Sequence, residues 1–134
     1  MNIVFFSGSR SEYYLLKAVL GAIPTTIVSE KFEFELSVVF GGIYSCKDDL
    51  KWREEEKINL NKKNIQTFDI TTMVEYAQPT ASIQIAKSIE AFEYFVNSTA
   101  ETQKLLVVLG DRAETLGACI SAVSHLIPIA HLCG

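Results

Sequence analysis

Four short apolar runs along the chain are followed or separated by helix-like segments, and a fifth run closes it. NIVFFS, residues 2–7, is continuously apolar and ends at Gly8, the pattern of a strand buried on both faces. In residues 11–23, Leu15, Leu16, Val19, Leu20 and Ile23 recur at helical spacing, and Gly21 and Pro24 mark the end. EFELSVVF, residues 33–40, is rich in β-branched and aromatic side chains and stops at Gly41-Gly42, which predicts a second strand. A weaker third strand is expected at residues 64–69. Residues 80–98 set Ile85, Ile89, Phe92 and Val96 on one stripe with Gln84, Lys87 and Glu90 elsewhere, an amphipathic helix that docks on a sheet. KLLVVL, residues 104–109, predicts a fourth strand, residues 113–124 a helix with Leu116, Ile120 and Val123 inward, and residues 128–132 a final strand. Strands alternating with helices imply the α/β class and an open parallel sheet with right-handed crossovers.

Composition narrows the function classes. The 134 residues are 49% hydrophobic and 21% charged, enough apolar material for one packed domain and too little charge for a disordered tail or a fibre. With 12 Lys+Arg against 16 Asp+Glu the net charge is −4, so the chain lacks the positive field that nucleic-acid binding draws on, and no nucleic-acid partner is expected. Apolar stretches such as 105–109 fall far short of the roughly 20 residues a membrane span needs, so no membrane partner is expected either. The start, MNIVFFSGSR, has no basic residue ahead of its apolar run and no small-residue cleavage site, which predicts a cytoplasmic address. Cys46, Cys119 and Cys133 are far apart and in no CxxC arrangement, so they are expected as reduced thiols rather than disulfides or zinc ligands. No repeat, low-complexity tract or linker interrupts residues 1–134, and a single domain is expected. Residues 47–63 hold half of the basic residues, interleaved with Asp48, Asp49 and Glu54 to Glu56. That mixture predicts a solvated helix face with i,i+4 pairs; a mobile flap beside a ligand site is the competing reading.

Ligands of an open parallel sheet bind beyond the carboxyl ends of its strands, where helix N-termini present unpaired N–H groups and a partial positive charge. Three loops on one predicted edge carry chemistry there: Gly8-Ser9-Arg10-Ser11-Glu12, Gly110-Asp111-Arg112-Ala113-Glu114, and His131-Leu132-Cys133-Gly134. The first is neither GxGxxG nor a P-loop. It offers one Gly for close approach, the Ser9 hydroxyl, and Arg10 as a planar cation for a diphosphate. Its competing reading is local: Ser9 or Ser11 caps the helix, Glu12 favours the first turn, and Arg10 is solvated. In the second loop Asp111 and Glu114 are carboxylates suited to proton transfer and Arg112 is a second phosphate or sugar contact, unless Asp111 simply caps a helix. Two cations paired with two or more acids suit elimination of a phosphorylated leaving group. His131 can shuttle a proton or orient a carboxylate, or be a buried structural histidine, and His125 reads as a helix-end residue.

Three runs in order carry a family resemblance: GSRSEYYLLK (residues 8–17), LLVVLGDRAETLGACISA (105–122) and IPIAHLCG (127–134). They resemble the hydrolysing UDP-N-acetylglucosamine 2-epimerases, whose usual runs are G-S/T-R-A-E-Y-G-L-L, V-L-G-D-R-x-E and I-P-x-x-H-I-H/E-G-G-E. AQPTASIQIAKSIEAFEYF (77–95) is similar to the family's helix before the GDR strand, so the likeness spans essentially the whole chain. Leu15 and Leu16 match the hydrolysing type, whereas the non-hydrolysing enzymes carry a GTRPE-like motif.

The resemblance implies a Rossmann-like sheet with helices on both faces, the N-terminal half of a GT-B-type fold. A second, C-terminal domain that holds most of the uridine diphosphate lies outside this chain. It implies loss of UDP from a UDP-amino sugar after proton removal at C2, then hydration of a glycal-like intermediate to N-acetylmannosamine or a related sugar for sialic- or legionaminic-acid synthesis. No metal or redox cofactor takes part in that chemistry. Carried over by position, Arg10 matches a diphosphate contact, Asp111 a catalytic carboxylate and Arg112 a further UDP contact; Glu12 and Glu114 match motif acids. With His131, the expected catalytic set is Asp111, Glu114 and His131, and the expected substrate-binding set is Arg10, Ser9, Glu12 and Arg112. Three positions depart from the family pattern. Cys133 stands where Glu or His is usual, and a thiol with a pKa near 8.5 replaces a carboxylate poorly. Residues 40–44, FGGIY, lack the histidine of a G-x-H-L-like run, and Tyr14 replaces a small residue beside the phosphate site. The alternative these departures support is a truncated, non-catalytic relative acting as a binding or assembly domain, and a half-sheet of this kind is a candidate for homo-oligomers.

Overall fold

A continuously apolar strand has no face to turn to water, and β1 (Asn2–Ser7) lies at the centre of the sheet, between β2 (Glu35–Phe40) and β4 (Lys104–Leu109). The computed structural model describes residues 1–23, 34–42, 47–70, 80–100 and 103–132. Within them the order is β1, α1 (Arg10–Ala22), β2, α2 (Lys47–Asn61), β3 (Gln66–Asp69), α3 (Ala81–Ser98), β4, α4 (Ala113–Ser124) and β5 (Ile129–Leu132). The described strands are all parallel and stand in the spatial order β3-β2-β1-β4-β5.

Alternation along the strands builds two cores. Phe5, Val38, Phe40 and Val107 face Tyr13, Leu16 and Leu20 of α1 and Trp52 and Leu60 of α2. Val4, Phe6, Val39, Leu106 and Val108 face Phe92 and Phe95 of α3 and Ala118 and Ala122 of α4. Helices therefore cover both faces, as the expected Rossmann-like arrangement requires, and the strand boundaries fall within two residues of those read from the sequence. Among the described residues no helix is long and apolar enough to cross a membrane.

Three expectations are corrected. Leu116, Ile120 and Val123 do not point inward: they are 50%, 45% and 63% exposed, and α4 instead buries Glu114, Thr115, Gly117, Ala118, Ser121 and Ala122. The cause is close packing of α3 on α4. A Cβ on Gly117 would stand 2.6 Å from the Ser88 Cβ and 2.7 Å from the Ile85 carbonyl oxygen, so only a face of small residues fits there. Leu15 is likewise exposed, while Tyr13, Leu16 and Leu20 form the buried face of α1. The charged segment 47–63 is not merely a solvated face: α2 buries Trp52, Arg53, Glu56 and Leu60. Arg53 is completely enclosed and reaches Asp69 Oδ1 at 3.1 Å and the Gly41 carbonyl at 3.4 Å. Readings that fell on Pro24, Glu33, Ile43, Tyr44, Cys46, Cys133, Gly134 and residues 77–79 lie outside the described residues.

Candidate functional site

Strand order places the reversal of chain direction across the sheet between β1 and β4, because the chain leaves β1 towards β2 and later returns to β4 on its other side. That switch point is where open α/β sheets leave a crevice at the carboxyl ends of their strands. The β1–α1 and β4–α4 loops flank it, and each is followed by a helix with an acid in its first turn, Glu12 in α1 and Glu114 in α4.

In the first loop Ser9 is the N-cap of α1, and its hydroxyl accepts from the Glu12 N–H at 3.3 Å. The Glu12 side chain turns back, and its Oε2 accepts from the Gly8 N–H at 2.9 Å. The other oxygen, Oε1, accepts from the Thr115 hydroxyl at 3.4 Å, a contact between residues 103 apart in sequence. Gly110 adopts φ +77°, a conformation that favours glycine, and its missing Cβ would lie 3.3 Å from Glu12 Oε1. Burial raises the Glu12 pKa above the ordinary carboxylate value and Glu114 adds to the rise; the Arg112 charge and the Gly8 N–H oppose it.

Arg112 precedes α4 and donates from Nη2 to Glu114 Oε1 at 3.1 Å. Its side chain is 47% exposed and that of Glu114 only 3%, so the guanidinium is anchored from below with its remaining donors towards solvent. The hydrogen bond to Glu114 holds the Arg112 pKa above its ordinary value. Glu114 Oε2 is buried and has no hydrogen-bond partner among the described residues, and the Glu114 backbone carbonyl accepts from Ser88 Oγ at 2.6 Å. His131, on β5 opposite Val108, places Nε2 2.7 Å from the Gly110 carbonyl oxygen. A carbonyl only accepts, so Nε2 carries the proton and Nδ1 is the nitrogen able to exchange one.

Asp111, Arg112 and His131 share an open cleft of about 330 Å³ with Gly110, Thr115 and the apolar side chains of Leu116 and Ile129. Asp111 is exposed and does not cap α4, whose N-cap is Arg112. Arg10 follows the same strand edge but points elsewhere: its guanidinium lies 5.4 Å from the Trp52 ring centre and 5.8 Å from that of Tyr14. A hydrogen bond from Arg10 lowers the pKa of the exposed Tyr14. The structure thus gathers Glu12, Arg112 and Glu114 into one ionic group, sets Asp111 and His131 on the cleft beside it, and turns Arg10 towards α2. Sequence reasoning did not single out Thr115 or Trp52, although Thr115 stands in the GDRAET run and Trp52 is the one tryptophan of the chain. Cys119 is a free, half-buried thiol at the wall of this cleft, and burial raises its pKa.

No family model matches the chain. Over 99% of its length it is 26% identical to the polysialic acid biosynthesis protein P7 of Escherichia coli, covering 32% of that protein. It is 25% identical, again over 99% of its length, to the UDP-N,N'-diacetylbacillosamine 2-epimerase (hydrolyzing) of Legionella pneumophila, covering 33% of it. The likeness read from the motifs, to hydrolysing UDP-sugar 2-epimerases, holds along the whole chain. In three dimensions the chain superposes on the UDP-GlcNAc 2-epimerase from Neisseria meningitidis, solved with UDP-GlcNAc bound, with a TM-score of 0.66 and 16% identity over 98% of this chain and 32% of that one. That superposition speaks for the fold: a Rossmann-like unit of a GT-B architecture. The chain spans about a third of the length of each of these relatives.

Proposed function

We propose that the chain is the N-terminal part of a two-domain hydrolysing 2-epimerase acting on a UDP-amino sugar. The observation that carries this reading is the meeting of Asp111, Arg112 and His131 on one cleft beside the switch point. Arg112, with Ser9 along the rim, supplies contacts for the diphosphate, and Arg10, turned against Trp52 and Tyr14, is left out of that set. Asp111 and His131 are placed to move protons at the sugar, and Glu114 adds the second carboxylate behind Arg112. In the reaction a base takes the C2 proton, the C1–O bond breaks with its electrons leaving on UDP, and a C1=C2 double bond forms. Water then adds its oxygen at C1, a proton returns to C2 from the opposite face, and the free 2-epimeric sugar is released. A further domain completes the uridine site. The proposed substrate class is UDP-N-acetylglucosamine or a UDP-diacetamido sugar, the chemistry named for the relatives.

The test incubates the protein encoded by the full reading frame with UDP-N-acetylglucosamine and, separately, UDP-N,N'-diacetylbacillosamine, following UDP release and sugar stereochemistry. UDP together with a 2-epimeric free sugar is the expected result, and release from neither substrate overturns the reading. A second reading rests on the outer face of α4, where Leu116, Ile120 and Val123 form an exposed apolar stripe: a non-catalytic relative that binds or assembles through that face. It predicts no turnover and a concentration-dependent change in mass that Ile120→Glu abolishes.

A further inference from the structure

Glu12 is a buried acid at the place where an open sheet of this kind ordinarily leaves room for a ligand, and it is 6% exposed. It occupies the Gly8 N–H, a backbone donor at the end of β1, at 2.9 Å. Its other oxygen meets Thr115 of the opposite helix and lies 3.3 Å from where a Cβ on Gly110 would stand, across the β1–β4 boundary. The same crevice is closed from the other side by Glu114, whose Cβ would stand 3.2 Å from a Cβ on Gly8. A carboxyl so placed has no surface for a ligand, yet it touches both loops that carry the candidate ligand contacts.

We infer that Glu12 is a positioning residue: its carboxyl ties the Gly8 N–H to the Thr115 hydroxyl and so fixes the separation of the β1–α1 and β4–α4 loops. The tie itself stands on this geometry alone. Its consequence for a ligand, that Ser9 on one loop and Asp111 and Arg112 on the other are held at a spacing suited to one sugar diphosphate, rests on the reading proposed above. Substitution of Glu12 must then disturb a loop about a hundred residues away in sequence, which a cap confined to α1 does not do. The groups facing Glu12 are Arg112 and Glu114 from the α4 side and the Ser9 hydroxyl and Gly8 N–H from its own loop. Protonation of Glu12 is accordingly visible at Gly8.

Amide spectra and hydrogen exchange of the labelled 134-residue chain test the tie. The Gly8 amide shift is expected to follow a carboxyl titration that Glu12→Gln removes. Glu12→Ala is expected to speed exchange at least tenfold at Gly8 and also at Gly110 to Arg112, with Leu106 and Val38 unchanged, and Glu12→Gln is expected to restore protection because its amide oxygen still accepts from Gly8. Should Glu12→Ala not fold, Thr115→Val gives the reciprocal reading, a shift at the Gly8 amide from a change on the other loop. Effects confined to residues 8–12, or no response of Gly8 to Thr115→Val, overturn the inference. Addition of UDP-N-acetylglucosamine separates the two readings. A full-length protein that fails to bind it removes the proposed function and leaves the tie to be judged by the amides. Binding that Glu12→Gln weakens as much as Glu12→Ala makes Glu12 a ligand contact and overturns the positioning role.

Discussion

Two buried ionic groups stand at the carboxyl edge of the same sheet and are built on opposite plans. Under α2, Arg53 is fully enclosed, holds Asp69 and a backbone carbonyl, and lies over the Phe40 ring. Asp69 also faces Lys57 Nζ at 3.9 Å, so two cations meet one acid, and the Arg53 side chain is almost wholly enclosed. At the β1–β4 crevice two buried acids share one half-exposed arginine. An ionic pair closed on itself fixes the relation of two elements, here α2 and β3, at the cost of desolvating both charges. A group left open in charge is unfavourable as it stands, and a ligand or a proton completes it. The first cluster is therefore read as architecture and the second as a site, although both are charged residues at strand ends.

The largest effect expected to separate them is on stability. Arg53→Met removes the buried partner of Asp69 and is expected to cost about 3 kcal/mol in urea denaturation, near the lower end for a broken buried pair because Asp69 retains some solvent and Lys57 at 3.9 Å. A loss below about 1 kcal/mol would erase the distinction. Arg53 also depends on its partner for charge: burial lowers its pKa to about 10 against the pull of Asp69, still well above neutral pH, so the pair is ionised under ordinary conditions.

Arg112→Ala is expected to weigh on binding as well as on the fold. Its side chain is half in solvent, but that of Glu114 beneath it is only 3% exposed and loses its charged partner, so the fold should lose about 1 to 2 kcal/mol, less than at Arg53. UDP-sugar affinity of the full-length protein should fall at least about tenfold, some 1.4 kcal/mol. Removing the Arg112 charge also removes the main force opposing protonation of Glu12, so the Glu12 titration seen at Gly8 should move to still higher pH. A loss of stability with no loss of UDP-sugar binding would make both clusters structural.

A smaller, pH-dependent effect comes from Glu12. Its folded pKa is raised above the ordinary value of 4.5, so the folded state takes up its proton more readily than the unfolded chain. The stabilisation is fully present below the unfolded pKa and is lost as pH rises through the folded one. Against wild type, Glu12→Gln should therefore gain relative stability as pH is raised from 4 towards 8. A flat difference across that range would mean that the crevice is as well compensated as the Arg53 pair.

The two clusters also mark how far the sequence could be read. Strands declare themselves through continuous apolar runs, and Lys104–Leu109 and Ala113–Ser124 were legible to the residue. The strand-end acids and arginines were legible as candidates because a parallel sheet dictates which ends of its strands face ligands. Their partners were not. Glu12 finds Thr115 and Tyr13 finds Glu56 at separations of 103 and 43 residues, and α2 carries no apolar stripe because its inner face includes Arg53 and Glu56, each paired from another element. Hydrophobic periodicity scores such residues as outward.

The same weakness, in mirror image, governs α4, where periodicity selects the large side chains and close packing selects the small ones. Ile120→Ser is the change that neither ionic cluster should notice. With Ile120 nearly half exposed, it should alter stability by no more than about 0.5 kcal/mol and leave the Gly8 and Gly110 amides in place. Were the stripe inward, as helical spacing alone implies, loss of the aliphatic side chain would open a cavity and cost about 2 kcal/mol or more. The contrast is measurable because Gly117 and Ala118, which have almost no hydrophobic signal, hold α4 against α3. A cost of the larger size would rotate α4 and carry Glu114 and Thr115 out of the crevice, dissolving the difference between the open cluster and the closed one.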